Sequence, residues 1–302
     1  MECPHCSGSV RIVKIGLRRT KKGSVQKYRC MECGRSFSDS INPHSSYPMK
    51  IILHSLELYN MGYPASYVKK MIGKNYHRSP PLNTIYSWTK RYEDDLTFIK
   101  LRRKMELDPE SILYRKNFMH RQVHPFAYHY PKINIHSKTL PGIKRYINWI
   151  DRSLPDRIFL EGPRMSNYSI DTAYDIKPIK NNLPRLTELA LERSSDLSPH
   201  NSVESFFLIN DSSTVATEVP VFLNPNEFDG SQIPMTGHID LLQARFGRIY
   251  ILDYKPNLKH PEKYTSQLYL YRESIRRRMN IPRKKISAVA FNEHGAWEYG
   301  FK

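Results

Sequence analysis

Residues 237–271 constrain the fold more than any other stretch of this chain. Two apolar, β-prone segments, Gly237-His238-Ile239-Asp240-Leu241-Leu242 and Ile249-Tyr250-Ile251-Leu252-Asp253-Tyr254-Lys255, flank Arg245-Phe246-Gly247-Arg248. A short turn whose Gly can take positive φ makes the pair a β-hairpin. Centring the turn between Phe246 and Gly247 sets Leu241 opposite Leu252, Leu242 opposite Ile251 and Asp240 opposite Asp253. Opposed residues have Cβ atoms roughly 4.5–5.5 Å apart, and like charges there repel. Two carboxylates facing each other in an apolar hairpin therefore call for a divalent cation, and their hard oxygens suit Mg²⁺ or Mn²⁺. Lys255 follows Asp253 by two residues and shares its face of the strand. Carboxylates, cation and ammonium together can polarise a phosphodiester, activate a water and stabilise developing negative charge. The competing reading makes Asp253-Tyr254-Lys255 a charged strand end running into solvent.

Asp240 followed by Asp253-Tyr254-Lys255 resembles the PD-(D/E)xK nuclease superfamily. The Gly-x-x-Asp spacing of Gly237 and Asp240, with Gln-x-x-x-Tyr at Gln267 and Tyr271, narrows the resemblance to the RecB-like branch. The resemblance implies an α/β, restriction-endonuclease-like core with a mixed sheet over residues 181–302. It implies that Asp240, Asp253 and the backbone carbonyl of Tyr254 bind Mg²⁺ or Mn²⁺, that Lys255 orients or activates the attacking water, and that Gln267 and Tyr271 sit beside the site on the next helix. Glu218 interrupts an apolar strand where such nucleases often carry a further acidic residue. Some RecB-like relatives hold an iron–sulfur cluster through four cysteines around this core; all four cysteines here lie far upstream.

Those cysteines form two pairs, Cys3-x-x-Cys6 and Cys30-x-x-Cys33. Two knuckles at this separation fit one structural Zn²⁺ held by four thiolates. Two disulfides are the alternative, and the first residues do not read as a secretory signal, so a reducing, cytoplasmic setting is expected. Residues 1–42 thus read as a zinc ribbon, with a turn at Thr20-Lys21-Lys22-Gly23 and a basic face of Arg18, Arg19, Lys21, Lys22 and Lys27. That face contacts phosphates or is a solvated turn.

Residues 46–98 read as three helices: one over 48–59, one from about Pro64 to Ile72, and one after Pro80-Pro81 capped by Asn83 or Thr84, with Ile85, Trp88 and Tyr92 as its inner stripe. This pattern is a helix-turn-helix whose third helix offers Ser87, Lys90 and Arg91 as candidate DNA contacts. Zinc ribbon followed by helix-turn-helix resembles the N-terminal region of insertion-sequence transposases, carried here by Cys3-Pro4-His5-Cys6, residues 28–37 and Thr84-Ile85-Tyr86-Ser87-Trp88.

Residues 99–180 read as a helical or irregular connection in which His120, His124, His129 and His136 have no ligand spacing on one helix. In 181–302 an amphipathic helix capped by Asn182 covers 183–197, with Glu188 and Glu192 as solvated residues or as additions to the site. Strands are expected over 206–210 and 215–223, a polar loop over 224–235, a helix from Pro261 to about Met279, and strands over 286–291 and 297–301.

The chain carries 47 Lys and Arg against 29 Asp and Glu, a net charge of +18. Such a surplus marks a polyanion binder, and with no run of ~18–20 apolar residues DNA is favoured over a membrane. A Mg²⁺- or Mn²⁺-dependent deoxyribonuclease with its own DNA-targeting module is the leading expectation, from a mobile element or a defence or repair system. A non-catalytic DNA-binding regulator and a transposase component are the alternatives. No P-loop is present, so ATP coupling would need a separate recombinase or helicase partner; a homodimer is compatible with site-specific cleavage.

Overall fold

A computed structural model describes residues 3, 6, 11–20, 23–38, 47–193, 197–228 and 233–301. They divide into two compact units, residues 1–52 and 53–302.

In the first unit β1 (Ile12–Thr20) and β2 (Gly23–Cys30) form an antiparallel hairpin, and β3 (Ser36–Ser38) adds to β2. Thr20 pairs with Gly23, which puts the turn where the sequence implies it; Lys21 and Lys22 lie outside the described residues, as do the side chains of Arg18 and Arg19. The core here is small: Cys3, Tyr28, Cys30 and Phe37 are buried, with the rings of Tyr28 and Phe37 stacked at 5.7 Å. So little apolar area cannot offset the entropy of ordering the strands, and metal ligation is the usual remedy.

The helix α1 (Met49–Asn60) spans the boundary, followed by α2 (Ala65–Tyr76), α3 (Leu82–Arg91) and α4 (Phe98–Arg102). Ile85, Trp88 and Tyr92 are buried as expected. Two details differ. The second helix passes through Gly73 and ends at Tyr76, where His77 turns into the left-handed region at φ 51°. The third helix starts directly after Pro81, with no side-chain cap, so neither Asn83 nor Thr84 has that role. These helices are fastened to the rest of their unit by polar contacts as well as packing. Asn60 Nδ2 donates to Asn210 Oδ1 at 2.9 Å in a buried setting, and Arg193 pairs with Glu57.

Residues 99–180 are more regular than their composition implies. They form β4 (Leu113–His120), β5 (Gln122–His129), α5 (Tyr130–His136), α6 (Pro141–Ser153), α7 (Asp156–Glu161) and β6 (Tyr174–Pro178). Then follow α8 (Leu183–Arg193), α9 (Pro199–Asn210), β7 (Thr214–Leu223), β8 (Met235–Arg245), β9 (Arg248–Tyr254), α10 (Thr265–Met279), β10 (Ile286–Phe291) and β11 (Ala296–Phe301). The expected strand over 206–210 is instead the last part of α9. An apolar run of that length fits a buried helix as well as a strand, and periodicity alone does not separate them. At α8 it is Asn181, not Asn182, whose side chain accepts from the first helical N–H, that of Leu183, at 3.0 Å.

Eight strands make one mixed sheet in the order β4-β5-β7-β8-β9-β10-β11-β6, with β9 and β10 parallel. The α/β class and mixed sheet are as expected. Helices cover both faces. Tyr146, Ile147 and Ile150 of α6 and Leu268, Tyr271 and Ile275 of α10 bury one face with Val219, Ile239, Ile251 and Ala288. On the other face α9 packs Phe207 against Phe291, ring centroids 5.6 Å apart. No helix among the described residues is long and apolar enough to cross a membrane.

Candidate active site

The hairpin at the centre of the sheet has the register that its turn dictates from Arg245 back to Leu241, where the ladder ends, so the expected Asp240–Asp253 pair is not part of it. Leu241 pairs with Leu252, Leu242 with Ile251 and Arg245 with Arg248. Phe246 and Gly247 both sit in the left-handed region, at φ 50° and 68°, as a two-residue turn matched to strand twist requires. The next position on β8 is Asp240. Its Oδ2 accepts from the Tyr254 N–H at 2.7 Å, so the carboxylate reaches across to β9 beside Asp253. Both aspartates are buried, Asp253 to 1% exposure.

Two more carboxylates join them. Glu218 projects from β7 and Glu204 from α9; oxygens of Glu204, Glu218 and Asp240 all lie within 4.8 Å of one another. Glu218 has φ 47°, a left-handed backbone inside a strand. For a residue with a Cβ this costs about 1–3 kcal/mol and recurs where a side chain is aimed for function. Burial, and then the neighbouring Asp253 charge, raise the Asp240 carboxyl well above its ordinary range. Burial, then Glu218 and Asp240, do the same to Glu204. Glu204 Oε1 is buried with no hydrogen-bond donor among the described residues. Buried, crowded and under-donated carboxylates are costly unless protonated or bound to a cation. An all-oxygen set of this kind fits a hard divalent ion.

Lys255 places Nζ 2.7 Å from Asp253 Oδ2, an ion pair outside hydrogen-bonding angles. Burial works against the ammonium, but Asp253 and Asp240 outweigh it and hold Lys255 above the usual lysine range. Gln267 Nε2 donates to Tyr271 Oη at 2.8 Å and lies 3.5 Å from Asp253 Oδ1. The Tyr254 carbonyl faces His200, whose Nε2 is 3.1 Å away.

Beside the carboxylates stands a histidine cluster that sequence spacing did not reveal. The rings of His124 and His238 stack at 3.6 Å, 2° from parallel. His124 Nδ1 is 2.7 Å from Glu218 Oε2; His120 Nδ1 is 2.9 Å from His238 Nε2 and its Nε2 is 3.2 Å from Asp156. Burial holds His120 and His238 below the ordinary histidine value. Asp240, Glu218, Lys255, Gln267 and Tyr271 line one cleft of about 530 Å³, with His124 and His238 on its wall and exposed Arg164 at its edge.

The other sequence candidates fall as follows. Glu188 pairs with Arg185 at 2.5 Å and does not line the cleft; nor does Glu192. Ser87, Lys90 and Arg91 are exposed on α3. The four cysteine sulfurs gather at one point, with Cys3 and Cys33 sulfurs 3.6 Å apart, Cys6 and Cys30 sulfurs 3.6 Å apart, and all four within 4.8 Å of one another. This cluster is compatible with a structural zinc site. His124, His200, Glu204 and His238 were missed because they join the aspartates only through sheet order and helix packing; no local spacing marks them.

No protein-family model matches the chain, and neither does any curated protein or solved structure.

Proposed function

We propose that this chain is a Mg²⁺- or Mn²⁺-dependent nuclease that acts on DNA. One observation carries the reading: Asp240 and Asp253 are buried on adjacent strands, half-buried Lys255 is ion-paired to Asp253, and Asp240 and Lys255 line a cleft with Glu218, Glu204 lying alongside. Asp240, Asp253 and Glu218 would hold the cation, with Glu204 and the Tyr254 carbonyl in reach. A bound divalent ion supplies Lewis acidity and a more acidic water. Lys255 stays charged, so it serves as a fixed donor toward developing phosphate charge and not as a base. Gln267 and Tyr271 hold Asp253 in place. The net charge of +18 and exposed Lys90 and Arg91 favour a polyanionic substrate. The cysteine cluster and α3 are read as its DNA-targeting parts.

The test is incubation of the purified chain with supercoiled, linear and single-stranded DNA, with and without Mn²⁺. Divalent-dependent cleavage lost in Asp253→Ala, with DNA binding kept, supports the proposal. Cleavage that survives Asp253→Ala removes Asp253 from the reaction. DNA binding without cleavage of any substrate leaves a binding protein on this fold.

A further inference from the structure

β9 and β10 bring Asp253 to one end of the sheet and begin, at Arg248 and Ile286, at the other. At that second end lies a cavity of about 450 Å³ whose walls come from the starts of β9 and β10, from β11 and β6, and from α10. Its size is that of a small-molecule site. Its floor includes Arg272, which is 5% exposed. The Arg272 guanidinium lies over the Phe301 ring at 4.5 Å, and Nη1 is 3.5 Å from the Phe301 carbonyl. Among the described residues Nε and Nη2 have no hydrogen-bond acceptor. Glu273, the nearest carboxylate, is 3.7 Å from Nη2 and is held by Arg283 at 2.8 Å and Arg276 at 2.9 Å. Nε–H and Nη2–H form the edge with which arginine grips an oxyanion through two parallel hydrogen bonds.

The surroundings carry the same sign. Arg248 and Lys284 line the cavity with no carboxylate partner among the described residues, and Arg283 adds a third cation. Of the two lining carboxylates, Asp175 is paired with Lys177 at 2.5 Å, which leaves Glu298. A fully buried guanidinium edge without acceptors is costly, and such edges are normally satisfied. A singly charged carboxylate would leave several of these cations unmatched; a multiply charged tetrahedral oxyanion would not. We propose that this cavity is a binding site for a phosphoryl group, gripped by Arg272 and surrounded by Arg248, Arg283 and Lys284. The group belongs to a free nucleotide or pyrophosphate, or to a phosphorylated nucleic-acid end. The site is separate from the carboxylate cleft and does not depend on how that cleft is read.

Calorimetric titration of the 302-residue, zinc-loaded chain with pyrophosphate, without Mg²⁺ or Mn²⁺ and at fixed salt, tests this. Binding should weaken at least tenfold in Arg272→Lys, which keeps the charge but loses the fork, and severalfold in Lys284→Glu, an exposed change. Asp253→Ala should bind as the parent does. Should Arg272→Lys fail to fold, Lys284→Glu and Arg248→Ala carry the test. A 5′-phosphorylated oligonucleotide that outbinds its 5′-hydroxyl twin, with the difference lost in Lys284→Glu, identifies a nucleic-acid end. ATP and pyrophosphate binding without that difference identifies the free anion. No binding at millimolar pyrophosphate, or equal affinity in parent and variants, overturns the proposal.

Discussion

Gly237 lies flat against the ring of Tyr271: a Cβ built on this glycine would sit 2.5 Å from Tyr271 Cε1 and 3.1 Å from its hydroxyl oxygen. The two outer parts of the sequence pattern therefore touch. Gly237 is a glycine so that Tyr271 can come close enough to hold Gln267, which in turn faces Asp253. Gly237→Ala is expected to cost about 1–3 kcal/mol by overpacking and to lower divalent-dependent cleavage at least tenfold. Tyr271→Phe keeps the ring and loses only the hydroxyl, so it should lower cleavage with little change in stability. Paired measurements of melting temperature and cleavage rate separate the two; full activity in both variants would detach the tyrosine from the site.

The crowded carboxylates make a pH prediction. Glu204 and Asp240 have folded values raised by burial and by neighbouring carboxylates, Glu218 and Asp240 for Glu204 and Asp253 for Asp240. In the folded chain they keep protons that the unfolded chain has released. Without a divalent ion, stability is therefore fullest below the ordinary carboxylate value of about 4 and falls as pH rises toward the folded values. Glu204→Gln should flatten that fall and gain about 1–2 kcal/mol at pH 8, while weakening Mn²⁺ binding. Urea titrations across pH in dialysed, zinc-loaded protein measure both. A variant no more stable than the parent at pH 8 would show that repulsion is relieved elsewhere.

Lys132 gives the opposite slope. It is fully buried, and Nζ donates to the carbonyls of Leu208 and Asp211, each at 2.5 Å, tying α5 to the end of α9. Burial lowers it to about 7. Between about pH 7 and the unfolded lysine value of about 10.4 the unfolded chain binds the extra proton, so stability rises with pH across that window. Lys132→Met should remove the rise and cost about 2–4 kcal/mol by leaving two carbonyls without donors. A parallel pH slope in the variant would exclude Lys132 as its source.

The thiol cluster predicts one zinc per chain. Its removal, or Cys30→Ser, should release exchange protection over β1, β2 and β3, whose buried core among the described residues is Cys3, Tyr28, Cys30 and Phe37. The transition of residues 53–302 should be retained. Metal analysis and hydrogen exchange read the two outcomes, and unchanged protection in zinc-free protein would mean that the strands hold without ligation.

The hairpin was legible down to its register because two chemical signals agreed: alternating apolar residues and a turn that only Phe246-Gly247 could close. The cysteine pairs and the inner stripe of α3 were legible for the same reason, being local patterns. What was hidden is long-range. Glu204 reaches Asp240 from a helix whose apolar run, Phe206-Phe207-Leu208-Ile209, reads equally as a strand. His124 lies on β5, beside Pro125 and among charged and aromatic residues, with no strand signature strong enough to announce an edge hairpin. Its neighbour His238 sits more than a hundred positions away, and only the placement of β5 beside β7 joins them.

The order of the eight strands carries a practical meaning. Both rims of the sheet, β4 and β6, are translated before β7 to β11, so the chain lays down its borders first and fills most of the middle afterwards. A fragment cut at residue 181 would retain every aspartate and the lysine of the cleft. It would also leave β7 and β11 as raw, unpaired margins, open to the next molecule, and should aggregate before it could be assayed.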